Sequence, residues 1–524
     1  MLKLKSSIAI LVLGLSFVLF CVTSAQAQGW VDQFGSYCPP GASGCDDVAK
    51  GIASDSTGIY VVGTYVSTFP AGTGFLRKYN YSGGLLFELG NFSGANKVAV
   101  NLSSVPGPRS PYIYVAGDGF IRMYDNTGVV LKHKWLADFN IKDIAVNSSG
   151  VYVIAEPSEF SSLGSGKVYV KKFDALLTYE LWSKMLTVNP GQVHAGGIAA
   201  DLSSVYVVGN TSGSLRGQPI SGSSSAFIAK YNNSNGDFAG SFGSNGIVQY
   251  EFYPAYNYSY ARDVALDQNG NLYIAGDAMS PTDVIGIVRG MAFVERRNSA
   301  NGSLNWNTQF GSDSGVAIYA YGVCADLSGV GVTGYLKGNL PGKTLKGGYD
   351  GYLRRYKADG SGLLMSEQFG TSLDDKVFDI TEGGSSYFLA GGTVGALTGS
   401  NLGGEDAFVA RFYLPFSFGQ ISYALHVISN SIETMGLSAG TSNSLLAKID
   451  AAQKSLPAPV SGVAASSLGS AQINGEIRQN IANQLQAFIN QCEALRGKKI
   501  PESQADSLIQ MANEIINLIK NLPQ

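Results

Sequence analysis

Residues 51–79 read GIASDSTGIYVVGTYVSTFPAGTGFLRKY, and this stretch decides the fold. Gly51–Asp55 is a short apolar strand, and Ser56–Gly58 supplies the small, polar chemistry that a tight turn needs. Ile59–Gly63 is a second strand, and a loop leads on to a third, Phe75–Tyr79, with an aromatic residue at each end. β-branched and aromatic runs punctuated by glycine predict antiparallel strands.

The unit recurs along the chain. First strands reappear at Val98–Asn101, Ile144–Asn147, Gly197–Asp201, Asp263–Asp267, Gly322–Asp326 and Asp379–Glu382. Second strands follow at Tyr112–Gly117, Val151–Ala155, Val205–Gly209, Leu272–Gly276, Gly331–Gly334 and Tyr387–Gly391. Third strands close each copy at Phe120–Tyr124, Tyr169–Phe173, Phe227–Tyr231, Phe293–Arg297, Tyr352–Tyr356 and Phe408–Phe412. The copies lie 46 to 66 residues apart, a period that predicts propeller blades when the repeat is built of strands.

A fourth, outer strand follows in six copies, at Leu85–Gly90, Val129–Trp135, Tyr179–Met185, Phe238–Gly243, Leu304–Gly311 and Leu363–Gly370. The seventh copy lacks one, but Trp30–Gly35 (WVDQFG) matches the QFG of Gln309–Gly311 and Gln368–Gly370. The expected fold is therefore mainly β: a seven-bladed propeller of four-stranded antiparallel blades, with the N-terminal strand closing the last one. Closure removes an exposed sheet edge.

These motifs resemble the secreted seven-bladed propeller-repeat family (SBBP repeats), a relative of NHL-type propellers. The resemblance covers about residues 30–413, and repeats two and three are degenerate. It implies an extracellular adhesion or scaffold module.

Composition agrees with a folded, exported protein. Of 524 residues, 66 are glycine, 28 tyrosine and 25 phenylalanine, and only 14% are charged. Residues 1–27 read as a signal peptide: Lys3 and Lys5, an apolar stretch Ile8–Val22, and Ala25-Gln26-Ala27 as the cleavage site. The bulky Phe20 before Cys21 speaks against a lipoprotein signal. Removing the two lysines from 36 basic residues leaves 34 against 39 acidic ones, which argues against nucleic-acid binding. No later apolar run reaches the length of a membrane span. The expected location is secreted or cell-surface, where a Cys38–Cys45 disulfide across PPGASG is permitted. Such a small loop contributes roughly 2.5 kcal/mol in the chain-entropy account.

The expected domains are the propeller at 28–415 and a C-terminal helical domain at 416–524, with a linker at about 456–470. Apolar residues there step by three and four, predicting four helices in a small all-α bundle. That segment resembles the FIMAH helical domain found at the ends of secreted proteins, with FINQC (residues 488–492) in place of the eponymous motif. Docking to a surface partner is its expected role.

Long loops joining second to third strands and fourth to first strands share one propeller face, the expected functional face. Its most unusual segment carries Tyr250, Tyr253, Tyr256, Tyr258 and Tyr260, which suit a glycan or protein ligand. Asp47, Asp143, Asp263, Asp374 and Asp375 precede first strands and are expected at the mouth of the central channel. Backbone capping and pairing with the third-strand bases Lys78, Lys172, Lys230, Arg296, Arg355 and Arg411 are their structural alternative. Asp267, Asn269 and Asn271 offer a weak calcium loop, with turn capping the rival reading and no other cofactor expected. A propeller lyase or hydrolase acting on an extracellular polysaccharide or peptide is the alternative function. His194 is its weak catalytic candidate, since no Ser-His-Asp or metal spacing surrounds it.

Overall fold

The structure is a computed structural model that describes residues 28–36, 45–66, 73–101, 111–220, 222–252, 257–280, 289–311, 317–383, 386–414, 418–456 and 475–520. Residues 1–27, expected to be a signal peptide, Cys38 and residues 457–474 lie outside these residues. Strands occupy the chain as far as Tyr413, and helices follow from Phe418.

The described strands form a β-propeller of six hydrogen-bonded antiparallel sheets, five with four strands and one with six. The expectation of seven separate four-stranded blades is thereby corrected at repeats two and three. Val130–Asn147 is one continuous strand that pairs through Val130–Trp135 with the end of Tyr112–Tyr124, and through Phe139–Asn147 with Gly150–Pro157. Only Leu136, Ala137 and Asp138 lie between Trp135 and Phe139, too few for the loop that isolates the other blades, and Asn140 pairs with both Asp118 and Glu156. In repeat four the outer strand is Ile247–Tyr250, not the expected Phe238–Gly243. There Gly243 takes a left-handed conformation (φ 52°) and Phe242 is fully buried, plugging the core instead of extending a sheet.

The ring closes as the sequence predicts. Gln28–Phe34 is the outermost strand of the sheet that holds Asp375–Gly383, Ser386–Thr393 and Asp406–Tyr413. The inner strands Val48–Asp55, Ala95–Asn101, Val130–Asn147, Val193–Ala200, Tyr258–Leu266, Ile318–Ala325 and Asp375–Gly383 pack each against the next, and the last against the first.

Every inner strand carries a β-bulge at the same position, at Lys50, Asn96, Lys142, Gly196–Gly197, Arg262, Tyr321 and Phe378. The bulge turns a carbonyl toward the neighbouring second strand, and this explains that strand's recurring terminal glycine. A Cβ at Gly63, Gly117, Gly209, Gly276, Gly334 or Gly391 would strike the carbonyl oxygen of Val48, Gly94, His194, Tyr260, Tyr319 or Lys376 respectively. The aromatic residue opening the third strand covers the vacant face of most of these glycines: Phe75 on Gly63, Phe120 on Gly117, Phe227 on Gly209, Phe293 on Gly276 and Phe408 on Gly391. Repeat three carries Ala155 at this position.

The opposite face is clamped by the third-strand bases. Lys78 Nζ donates to the Asn126 carbonyl (3.1 Å), Lys172 Nζ to Asn233 (3.2 Å), Lys230 Nζ to Ser299 (2.7 Å) and Arg411 Nη1 to Tyr81 (2.7 Å). Each acceptor lies in the turn between third and fourth strands of the following repeat, Arg411 reaching from repeat seven to repeat one. These bases therefore do not pair with the acids that precede the inner strands. Arg355 instead meets Asp326 at 2.9 Å and donates to Tyr387 Oη at 2.7 Å, all three buried. Repeat six has Gly331 where five second strands carry tyrosine and the seventh carries Phe388, and a Cβ there would sit 2.6 Å from the Tyr387 ring.

Helices α1 (Phe418–Thr434), α2 (Ala439–Lys454), α3 (Gly475–Leu495) and α4 (Glu502–Lys520) share one core that includes Leu425, Ile449, Leu485, Phe488, Cys492 and Leu508. Gly497 (φ 67°) ends α3 in the left-handed conformation that favours glycine. Ser507 of α4 donates to the Ser56 carbonyl at 2.7 Å, in the first-to-second-strand turn of repeat one. No described helix is long and apolar enough to cross a membrane. Cys324, half-buried, and Cys492, buried in the helical core, are free thiols.

Gly276→Ala should destabilise the propeller by about 1–3 kcal/mol in urea unfolding, because backbone must shift to admit the methyl. Ala155→Gly should cost less than about 1 kcal/mol. Equal effects would remove the bulge as the reason for the glycine.

Candidate functional site at the channel mouth

The bulges lie near the start of each inner strand, so they surround the channel on the long-loop face. The bulged residue and its successor form a variable pair per repeat: Lys50-Gly51, Asn96-Lys97, Lys142-Asp143, Gly196-Gly197, Arg262-Asp263, Tyr321-Gly322 and Phe378-Asp379. A cavity of about 330 Å³ opens among them.

The second members of the pairs fasten neighbouring repeats. Asp143 Oδ2 accepts the amide of Ile198 (2.8 Å), Asp263 Oδ2 that of Val323 (2.8 Å) and Asp379 Oδ2 that of Ile52 (3.1 Å). The other oxygen of each accepts the next amide in its own strand. Between these links, small residues let backbones approach: a Cβ on Gly51 would lie 2.8 Å from Lys97 Cα, and one on Gly197 would lie 2.9 Å from Asp263 Cα. Lys97 Nζ pairs with Asp379 at 2.9 Å. Burial, followed by the lowering effect of Lys97 and the raising effect of neighbouring acids, leaves Asp143 pushed up to about 6 and Asp263 to about 7.

The first members form the rim. Arg262 is held by Asp277 through two contacts (2.8 and 3.1 Å) and lies against Tyr260 (4.5 Å) and Tyr321 (5.2 Å). This arginine starts an aromatic belt. Tyr258 stacks parallel to Tyr260 at 6.3 Å, Tyr321 on Tyr335 at 5.3 Å, and Tyr335 meets Phe378 and Tyr349 edge-on at 6.0 and 5.3 Å. All six rings are half-buried, so each keeps some surface in solvent. On the other side of the rim stand Lys50, Asn96 and Lys142, with Lys142 3.7 Å from Glu156.

The residues singled out from sequence separate into groups. Asp143 and Asp263 do line the cavity. Asp47 and Asp375 lie three residues before the bulge and hold loops: Asp47 accepts Ser36 Oγ (2.9 Å) and the Val66 amide (2.9 Å), and Asp375 accepts Thr371 Oγ1 (3.0 Å). Asp374 accepts the Tyr349 amide at 3.1 Å. Tyr258 and Tyr260 belong to the belt, whereas Tyr250 donates to Glu295 at 2.7 Å beneath Arg297. Tyr253 and Tyr256 lie outside the described residues. Both carboxylate oxygens of Asp267 are taken within its turn, by the amides of Asn269 and Asn271 and by Asn271 Nδ2. His194 Nδ1 stands 3.6 Å from Glu156 Oε1, and hydrogen bonding to that carboxylate raises the imidazole above its ordinary value. Asp379, Lys50, Lys97, Lys142, Arg262, Tyr321 and Phe378 were missed, although the pair preceding each recurring apolar strand holds them all.

No family model matches the chain, and no curated protein matches it. Among solved structures, it is similar to Hsv2 of Kluyvelomyces marxianus at 8% identity, over 67% of this chain and 94% of that one, with a TM-score of 0.36. It is also similar to the polysaccharide lyase Uly1 at 10% identity, over 72% and 93%, with a TM-score of 0.43. Likeness at this level says nothing about the chemistry at the rim.

A carboxyl raised in the folded state binds its proton more tightly there than in the unfolded chain, so its contribution to stability falls as pH rises. Asp143 and Asp263 should therefore make unfolding easier between about pH 4 and pH 7, by at most about 1.4 kcal/mol per pH unit for each proton. The pH slope of the Asp263→Asn variant, measured by urea titration, should be shallower than that of the parent across this window. Parallel slopes would contradict the raised carboxyl.

Proposed function

We propose that this chain is a non-catalytic binding module, secreted or held at the cell surface, that presents the channel mouth to a carbohydrate or protein ligand. The observation carrying this reading is the belt Tyr258, Tyr260, Tyr321, Tyr335, Tyr349 and Phe378 beside a cavity that Lys50, Lys142 and Arg262 also line. Half-buried tyrosines offer flat apolar faces and hydroxyls at little entropic cost, which suits stacking on sugar rings or anchoring a partner's side chains. Export follows from the signal at residues 1–27, and a Cys38–Cys45 bridge belongs to the same reading. On this proposal the six-stranded sheet counts as two fused blades. The ring is then seven-fold, in keeping with the resemblance to secreted propeller repeats, and the FIMAH-like bundle docks to a surface partner.

A second reading, an enzyme acting on an extracellular polysaccharide or peptide, draws on the His194–Glu156 contact. Glu156 raises the imidazole of His194, so it holds its proton more tightly than a free imidazole does. Loss of a polysaccharide- or peptide-cleaving activity in His194→Ala would favour it, and intact activity would remove His194 from the mechanism.

Retention of the mature protein on immobilised cell-envelope polysaccharide tests the main reading. The double variant Tyr258→Ala, Tyr260→Ala should bind about tenfold or more weakly, the loss of one good aromatic anchor. Unchanged retention would overturn the belt as the binding surface.

A further inference from the structure

We propose that the channel mouth selects an anionic saccharide, one bearing a carboxylate or a sulfate, whose charged group lodges between Lys50 and Lys142 while its ring lies against the belt. The inference rests on the reading of this face as a binding surface and adds the charge of the ligand. Lys50 and Lys142 project from the bulges of repeats one and three and flank Asn96 of repeat two, so three donors converge on one side of the cavity.

Their surroundings leave the two lysines underused. Lys50 has no carboxylate within ion-pair distance among the described residues, although burial and repulsion from Lys142 both push its ammonium down. Asp118, the carboxylate that partly offsets this, accepts a hydrogen bond from Asn96 Nδ2 at 2.9 Å. Among the described residues Lys142 has only Glu156 as an ion-pair partner, at 3.7 Å, and that carboxylate already accepts the Ala195 amide at 2.8 Å and faces His194.

The deeper acids do not neutralise the rim. Asp143 and Asp263 each accept two backbone amides, Asp379 accepts two and pairs with Lys97, and Arg262 is occupied by Asp277. Lys50 is half-buried without an ion-pair partner and Lys142 is loosely paired and partly exposed, so an anion placed between them gains two charge-assisted contacts at little cost in broken ones. The whole chain carries more acidic than basic residues, so diffuse attraction of polyanions is not expected and selectivity for one would be local. Carboxylate or sulfate is the matching charge, and the neighbouring tyrosines select a sugar to carry it.

The test titrates the full mature chain with polygalacturonate, dextran sulfate and neutral dextran at physiological ionic strength. Binding of at least one charged polymer about tenfold tighter than dextran is expected, and the tighter of the two identifies the anion. Lys50→Ala and Lys142→Ala should each weaken that polymer about five- to tenfold, as for loss of one charge-assisted contact, and leave dextran unchanged. Lys454→Ala, on the exposed face of α2, should change nothing. Lys50→Gln serves where the alanine variant does not fold. Equal affinity for charged and neutral polymers, or insensitivity to both rim lysines, overturns the anionic assignment while the binding face stands. An equal loss in Lys454→Ala overturns it in favour of diffuse charge attraction. Binding of no polymer overturns both readings.

Discussion

The structure depends on the β-bulge that interrupts every inner strand at one level of the channel. An extra residue in one strand of a pair leaves one backbone unit unpaired and re-aims its side chain. Here the consequence is twofold. In six repeats the displaced carbonyl faces a glycine in the second strand, and in five of them an aromatic ring covers it, as Gly63 with Phe75 and Gly276 with Phe293 illustrate. The displaced side chain, freed from the ladder, points to the channel. One backbone irregularity thus fixes the packing of the blade and supplies the residues of the site.

Division of labour follows from the geometry. The far face is tied by third-strand bases reaching the carbonyls of the next repeat, and the near face by Asp143, Asp263 and Asp379 accepting amides of the next inner strand. These contacts fasten repeat to repeat with backbone acceptors and donors, so they do not depend on what the bulged residues are. Lys50, Asn96, Lys142, Arg262, Tyr321 and Phe378 are therefore not needed for these links. On the proposed binding role, ring stiffness and ligand specificity would reside in adjacent residues of the same strand.

Much of this was legible from the chain alone. The strand triplets, ring closure by Trp30–Gly35 and the four C-terminal helices follow from periodicity and turn chemistry, which are local properties. The fusion of repeats two and three was not, because it depends on how few residues separate Trp135 from Phe139, and a degenerate repeat conceals that spacing. The acids were grouped by their position before a strand, yet Asp47 and Asp375 fall three residues ahead of the bulge and Asp143 and Asp263 one residue after it. A bulge shifts register by one, and in a strand one residue decides which way a side chain faces. Tyr258 and Tyr260 were visible as a tyrosine-rich segment, whereas their continuation through Tyr321, Tyr335 and Phe378 joins residues far apart in sequence and needed the ring itself.

A crystal structure of the mature protein soaked with a short oligogalacturonate tests the account most directly. A sugar ring against Tyr260 or Tyr335 is expected, with its carboxylate within hydrogen-bond distance of Lys50 or Lys142. An oligosaccharide bound on the outer strands or on the opposite face, with the channel mouth vacant, would contradict it.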